Sequence, residues 1–226
     1  MLSNHKLFSN ILYTLIFSLG LISVSSLTSI INAQAQPKAN QASDTPATEF
    51  LKSQVVKVLA LTAIPIPNAQ TKSEVDAKLF AVIKPMMDFP AMSKASLGKY
   101  WAQQSVADQN KFMQLFEELV FHSYMKKIRK AKQDASIEYE DESVRPQGGA
   151  EVEAITTSKS MGEVELRFIL RAGQKDKKEA SYVAEDVIID EVSLVNNYKE
   201  EFIKIISKSG FDGLLKKMEE QIKKVK

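Results

Sequence analysis

The hydrophobic side chains of this chain repeat with a helical period in its first half, with a strand period in its middle, and with the helical period again near its C-terminus. From about residue 46 to residue 131 they recur every three or four positions, which predicts amphipathic helices. Between residues 137 and 189 they alternate with charged residues, which predicts half-buried antiparallel strands, and helical spacing returns beyond Ser193. The order predicts an α+β fold in which helices pack on one face of a four-stranded antiparallel sheet.

Capping and helix-breaking residues predict where each helix begins and ends. Asp44 or Thr45, followed by Pro46, can begin the first helix, and Pro65 and Pro67 end it. The second helix is predicted to begin at Ser73, and a short third helix follows Asp88 and Pro90 and ends near Gly98. The fourth is predicted to run from Ser105 to about Ala131, and the C-terminal helical segment is predicted to break at Gly210. The strands are predicted around residues 137–140, 151–154, 163–170 and 180–189.

The N-terminus has the pattern of a secretory signal peptide. Lys6 precedes an apolar core at residues 11–24, and Ala33-Gln34-Ala35 is a small-x-small cleavage pattern, so residues 1–35 are predicted to be removed. The alternative is an uncleaved membrane anchor, because the 25 residues from 7 to 31 carry no charge and are long enough to span a bilayer. Residues 36–45 are polar and predict a flexible leader, and residues 46–226 then form the domain.

The composition offers few groups for catalysis. There is no cysteine, which excludes disulfides, thiol nucleophiles and thiolate metal sites, and the two histidines are His5 and His122. The motifs of phosphate-binding loops, zinc hydrolases and serine hydrolases are missing. Glu185, Asp186, Asp190 and Glu191 match no calcium-loop spacing and are expected to be solvated or capping carboxylates. We therefore expect no metal, no cofactor and no enzymatic activity.

A basic run closes the long fourth helix, and it has two interpretations. It consists of Lys126, Lys127, Arg129, Lys130 and Lys132. Cations at a helix C-terminus complement the negative end of its dipole. Alternatively, the run is a docking surface for acidic proteins or anionic lipid headgroups.

Several segments of the chain resemble the MlaC family, the periplasmic phospholipid-binding proteins of the Mla (toluene-tolerance) ABC system. They are Leu97-Gly98-Lys99-Tyr100-Trp101, Gln109 with residues 112–124, Asp186-Val187, the VSLVNNY block at residues 192–198 with Phe202, and Gly210-Phe211-Asp212-Gly213-Leu214. The resemblance extends from about residue 50 to residue 218, and the VSLVxNY block is its most specific part. Two positions depart from the family: Glu191 stands where it usually has glycine, and Tyr182 stands where it has tryptophan after a DG turn.

The resemblance implies a periplasmic carrier that holds a glycerophospholipid with its acyl chains in an apolar cavity between helices and a curved, NTF2-like sheet. The implied partners are an outer-membrane lipoprotein with its porin and an inner-membrane ABC transporter complex, and the implied role is maintenance of outer-membrane lipid asymmetry. We expect a monomer that binds no nucleic acid, since the net charge is only +2.

Apolar residues on the predicted sheet face and long helix are the candidates for the cavity lining. They are Phe112, Phe116, Leu119 and Tyr124 of the helix, Val164, Leu166, Phe168 and Leu170 of the third strand, and Tyr182 and Val187 of the fourth. Each could instead belong to the core, because a dry cavity and a core use the same residue types. Two other functions remain open: an NTF2-like small-molecule binder or enzyme, and a periplasmic adaptor that binds a partner helix.

Overall fold

A computed structural model of the chain describes residues 45–131, 135–159, 162–173 and 181–225. The signal peptide predicted at residues 1–35, and the leader at 36–45 except Thr45, lie outside the described residues. Within the described ranges, no helix is both long enough and apolar enough to cross a bilayer.

The described residues contain five α-helices, of which four precede the strands and one follows them. They are α1 (Pro46–Thr62), α2 (Ala69–Ile83), α3 (Phe89–Leu97), α4 (Val106–Ala131) and α5 (Leu194–Val225), with short 3-10 turns at Lys84–Met86 and Gly98–Gln103. The bounds predicted for α1, α3 and α4 are confirmed. The predicted start of α2 at Ser73 is wrong, because the helix begins four residues earlier, at Ala69. The Asn68 side chain caps it there by accepting a hydrogen bond from the Thr71 backbone N–H at 2.9 Å.

The strands form one antiparallel sheet in the order β1-β2-β3-β4-β5. They are β1 (Ser136–Val144), β2 (Ala150–Ser158), β3 (Gly162–Ala172), β4 (Tyr182–Ile189) and β5 (Val192–Ser193). The sequence predicted four of them. It missed β5, which pairs Val192 with Ile189 and Ser193 with Ile188, because two residues are too few to show an alternation.

The turn between β4 and β5 has left-handed backbone at both of its residues, Asp190 (φ 46°) and Glu191 (φ 65°). Two positive φ values in a two-residue hairpin loop are the type I′ pattern, in which glycine is favoured. Glu191, where the resemblance to the MlaC family implies glycine, takes this conformation here, and Arg167 Nη2 donates to its carboxylate at 3.0 Å. This turn position therefore holds a left-handed residue that is not glycine.

The inner face of the sheet packs on α1, while its outer face carries most of the charge. Val152, Ala154, Leu170 and Ala184 form a buried cluster with Ala47 and Leu51 of α1. Register shifts interrupt the pairs β1–β2 and β3–β4, and such bulges bend the strands. Farther along, α1 leaves the sheet and packs through Val58 and Leu61 on a second cluster formed by α2 and α4, whose buried members are Val75, Leu79, Phe121 and Met125.

Aromatic rings join α3, α4 and α5 into a helical core. Phe112 and Phe116 of α4 stack on each other at 5.8 Å, and both meet Phe202 of α5 edge to face. Phe116 also contacts Phe89 of α3 and Tyr198 of α5. This cluster fixes the long helix against α5.

Helix α5 is broken at Gly210, as its sequence predicted. Gly210 has φ 71° and ψ 179°, which lies outside every helical region. The Phe202 and Phe211 rings, on either side of the break, both contact the Phe112 ring of α4, with centroids 5.4 Å and 6.2 Å from it. Both halves of α5 therefore pack against α4.

We expect Gly210→Ala to destabilise the protein by about 1–3 kcal/mol, because this backbone region is almost confined to glycine. Urea unfolding of the two proteins measures the difference. Lys208→Ala is the control, since Lys208 is exposed in the helical part of the same segment. Equal unfolding midpoints for Gly210→Ala and the wild type would contradict the expectation.

Glu201 makes the stability of the fold depend on pH. Burial raises the pKa of its carboxyl to about 7, an effect that Lys217 and Lys204 oppose. Since this pKa is higher in the folded than in the unfolded chain, the folded protein holds the extra proton between about pH 4.5 and pH 7, and stability falls as pH rises through that window.

We expect Glu201→Gln to remove part of this loss, on the order of 1–3 kcal/mol between pH 5 and pH 8, because one pKa unit corresponds to about 1.4 kcal/mol. Urea unfolding at both pH values measures it. Glu200→Gln, at the exposed neighbouring position, should keep the wild-type pH dependence. An unchanged pH dependence in Glu201→Gln would rule out this source.

Candidate functional site

The face of the central strands that packs on α1, called here the inner face, is apolar. Helices cover it completely only at the end near Leu170. Leu170 of β3 is 1% exposed, whereas Phe168, Leu166 and Val164 on the same face of β3 are half-buried. The helices therefore leave a row of apolar side chains on β3 incompletely covered.

Strand pairing extends this partly covered surface across the sheet. Phe168 lies opposite Val152 of β2 and Val187 of β4, while Leu166 lies opposite Ala154 and Ile189. The outer face also has half-buried apolar residues, but there they alternate across strands with charged ones. Ile169, for example, lies opposite Glu151. Only the inner face presents a continuous apolar surface over β2, β3 and β4.

The surrounding elements supply further half-buried apolar side chains on both sides of α1. Those against the sheet cluster are Phe50, Met87, Ile137, Phe168, Tyr182 and Val187. Those against the helical cluster are Val58, Leu61, Ile64, Phe80, Ile83 and Ile128. Because α1 contributes to both sets, it bridges the region between them.

The predicted lining residues separate into two groups. Phe112, Phe116, Leu119 and Leu170 are fully buried, and the first two belong to the aromatic helical core. The half-buried group consists of Tyr124, Val164, Leu166, Phe168, Tyr182 and Val187. The structure brings Phe168, Tyr182 and Val187 of this group to one cluster.

Residues outside the predicted cavity lining also belong to this surface. Met87 reaches it because it pairs with Ala184 at the edge of β4, and the neighbouring Asp88 N–H donates to the Ala184 carbonyl at 2.8 Å. Phe50 of α1 meets Tyr182 with ring centroids 5.8 Å apart. Helical spacing and strand alternation already put Phe50 and Ile137 on apolar faces, but no local pattern could have placed Met87.

Asp186 joins the sheet to the start of α5. Its carboxylate accepts hydrogen bonds from the backbone N–H of Val187 at 2.8 Å and of Val195 at 3.1 Å, and from the Ser193 hydroxyl. Ser193 in turn accepts from the Asn196 N–H at 3.0 Å, as an N-cap does. The prediction of a capping carboxylate is confirmed for Asp186.

Two tyrosines lie where α4 and α5 meet this junction. Burial raises the pKa of Tyr124, and the Asp186 carboxylate raises it further. Burial also raises the pKa of Tyr198, although the hydrogen bond that Ser123 donates to its hydroxyl lowers the pKa in part. Both hydroxyls therefore stay neutral at physiological pH.

The basic run at the end of α4 is only partly described. Arg129 forms an ion pair with Asp76 of α2, and Lys72 Nζ reaches the same carboxylate at 2.9 Å. Arg129 thus ties α4 to α2. The side chains of Lys126, Lys127 and Lys130 lie outside the described residues.

A pocket on the outer face of the sheet has the wrong chemistry for an apolar ligand. It is lined by Glu140, Glu153, Glu165, Glu191 and Arg167, together with Ala154, Ile155 and Leu166. In the part of the chain that the structure describes, no group of three or more His, Asp or Glu side chains is placed to hold a metal ion.

Comparison with known proteins identifies the family. The family model described as MlaC protein matches residues 54–220, more than half of the chain. No curated protein matches this chain. The fold is similar to that of the phospholipid-binding protein from Ralstonia solanacearum, solved in complex with a phospholipid, with a TM-score of 0.67 and 20% identity over 80% of this chain and 99% of that chain. At this identity the likeness establishes the α+β fold. The family match, which includes the whole sheet and the Asp186–Ser193 junction, shows that the chain belongs to the MlaC family.

Proposed function

We propose that this protein binds a glycerophospholipid, with the acyl chains against the inner face of the sheet, and that it is a carrier rather than an enzyme. The observation that carries the proposal is the continuous, partly covered apolar surface around Phe168, Leu166 and Val187. Membership of the MlaC family and the phospholipid bound to the Ralstonia solanacearum protein support it.

The energetics of lipid transfer explain why such a surface is needed. Two sixteen-carbon chains contain about 30 methylene groups, and at ~0.8 kcal/mol each their exposure to water costs on the order of 20 kcal/mol. A protein that covers them must offer an apolar surface free of charged groups, with side chains that adapt to chains of different length. Phe168, Leu166 and Val187 supply the apolar surface, and Met87 supplies an adaptable edge.

The proposed setting is the periplasm, reached through the signal peptide at residues 1–35. There the protein would carry phospholipid between outer-membrane and inner-membrane complexes of the Mla type and so maintain outer-membrane lipid asymmetry. The family supports this role. For docking we retain Lys126, Lys127 and Lys130 of the basic run as the candidate surface, whereas Arg129 is engaged by Asp76.

We expect Phe168→Glu to abolish the lipid that co-purifies with the mature protein, because the carboxylate would stand among the acyl chains. Native mass spectrometry measures the bound lipid, and circular dichroism checks the fold. Leu166→Glu should act in the same way. The matched control is Ile169→Glu, a half-buried neighbour on the outer face of the same strand, which should keep its lipid. Wild-type lipid content in Phe168→Glu would remove that residue from the site.

We expect the double variant Lys126→Glu and Lys130→Glu to slow lipid transfer to proteoliposomes that carry an Mla-type inner-membrane complex, without loss of bound lipid. Reversal of two charges at a docking surface lowers the association rate most strongly at low salt. Lys208→Glu with Lys216→Glu makes the same charge change at exposed positions of α5. If both double variants transfer lipid equally fast, the basic run is not the docking surface.

A further inference from the structure

Among the described residues, three buried side chains have a polar atom without a hydrogen-bond partner: Ser93 Oγ, Arg129 Nε and Tyr139 Oη. Arg129 is held by Asp76 through another of its nitrogens, and Ser93 lies within helix α3. Tyr139 differs from both, because it lies on β1, in the sheet that carries the proposed lipid surface.

The side chain of Tyr139 lies on the inner face of the sheet, over a small neighbour. Tyr139 pairs with Ala154 of β2, and Ala154 pairs in turn with Leu166 of β3. Tyr139 and Ala154 belong to the buried cluster on which Phe168 and Val187 pack. The phenol therefore borders the apolar surface against which we place the acyl chains.

The unpaired hydroxyl has an energetic cost that a phenylalanine at the same position would avoid. A buried hydroxyl without a partner destabilises a protein by about 1–3 kcal/mol. Tyr139 is 8% exposed, and its hydroxyl is shielded from bulk solvent. A buried hydroxyl without a partner in a folded protein requires an explanation. One explanation is a ligand that supplies the missing hydrogen-bond acceptor.

The surroundings of Tyr139 determine which acceptor would fit. Burial raises the pKa of its hydroxyl to about 12, and Glu49 contributes in the same direction, so the group is a neutral donor. Lys52 Nζ lies 6.0 Å from the ring centroid and pairs with Glu49 at 2.8 Å. A phosphate would bring its charge into this apolar cluster, whereas a carbonyl oxygen accepts a hydrogen bond without bringing a charge.

We propose that Tyr139 Oη donates a hydrogen bond to an ester carbonyl oxygen of the bound lipid, so that the protein selects lipids with ester-linked chains. The ester carbonyl is the polar group attached directly to each acyl chain, and it follows the chain into an apolar site. This inference rests on the proposed function. Since α1 covers Tyr139 in this structure, through Leu51 and Lys52, the lipid must part α1 from β1 as it binds.

Two phosphatidylethanolamines with the same headgroup and chain length test the proposal, one with ester-linked chains and one with ether-linked chains that lack the carbonyl. The wild type should bind the ester lipid about 5- to 10-fold more tightly, as expected for one hydrogen bond to a buried donor. In Tyr139→Phe the ratio should fall to about one, through loss of affinity for the ester lipid alone. Ser93→Ala, which removes another unpartnered buried hydroxyl, should keep the wild-type ratio.

The outcomes separate the inference from the proposed function. A wild-type ratio near one, or a preference that persists in Tyr139→Phe, overturns the inference while lipid binding stands. An equal loss of both lipids in Tyr139→Phe also overturns it, because the hydroxyl would then contact the shared headgroup. If the wild type binds neither lipid, the proposed function fails. Urea unfolding of lipid-free Tyr139→Phe should show a midpoint above that of the wild type, because the variant lacks the unpaired hydroxyl. An equal or lower midpoint would contradict the premise of the inference.

Discussion

The arrangement of sheet and helices depends on the hydrogen bonds that the Asp186 carboxylate accepts from the start of α5. The carboxylate lies on β4 and accepts hydrogen bonds from Ser193 and from the Val195 backbone at the first turn of α5. A carboxylate at a helix N-terminus is stabilised by the free N–H groups and by the helix dipole. Because α5 begins directly after β5, this contact sets the direction in which α5 leaves the sheet. Tyr198 and Phe202, in the next turns, then meet Phe116 of α4.

With α5 fixed, the aromatic rings hold α3, α4 and α5 together, and α1 adds a further connection between the helices and the sheet. Its first half packs on the sheet through Ala47 and Leu51, and its second half packs on α2 and α4. The apolar row on β3 is consequently covered at Leu170 and only partly covered at Val164. Full coverage would stabilise the protein further by burying apolar area, but it would leave no surface for a ligand. The incomplete cover is the feature that a lipid carrier requires.

The sequence predicted much of the fold but less of the candidate site. Alternation on β3 assigned Phe168 and Ile169 to opposite faces correctly, and Gly210 marked the break in α5. Helical periodicity showed that Phe112 and Phe116 are buried, but it could not say against which element, and their ring partners lie on α3 and α5. The lining role predicted for the ten candidate residues stays a prediction. For the half-buried ones, partial burial supports it.

Sequence alone determined the order of helices and strands, the face of each strand that is apolar, and the position where the last helix breaks. These properties follow from spacing along the chain and from the backbone limits of glycine and proline. Tertiary structure decided that Arg129 binds Asp76, that Met87 lies at the edge of β4, and that the Tyr139 hydroxyl has no partner. Each of these depends on groups that are far apart in the chain and meet only when the sheet and helices pack. The spacing of residues along the chain does not predict which of these groups will come into contact.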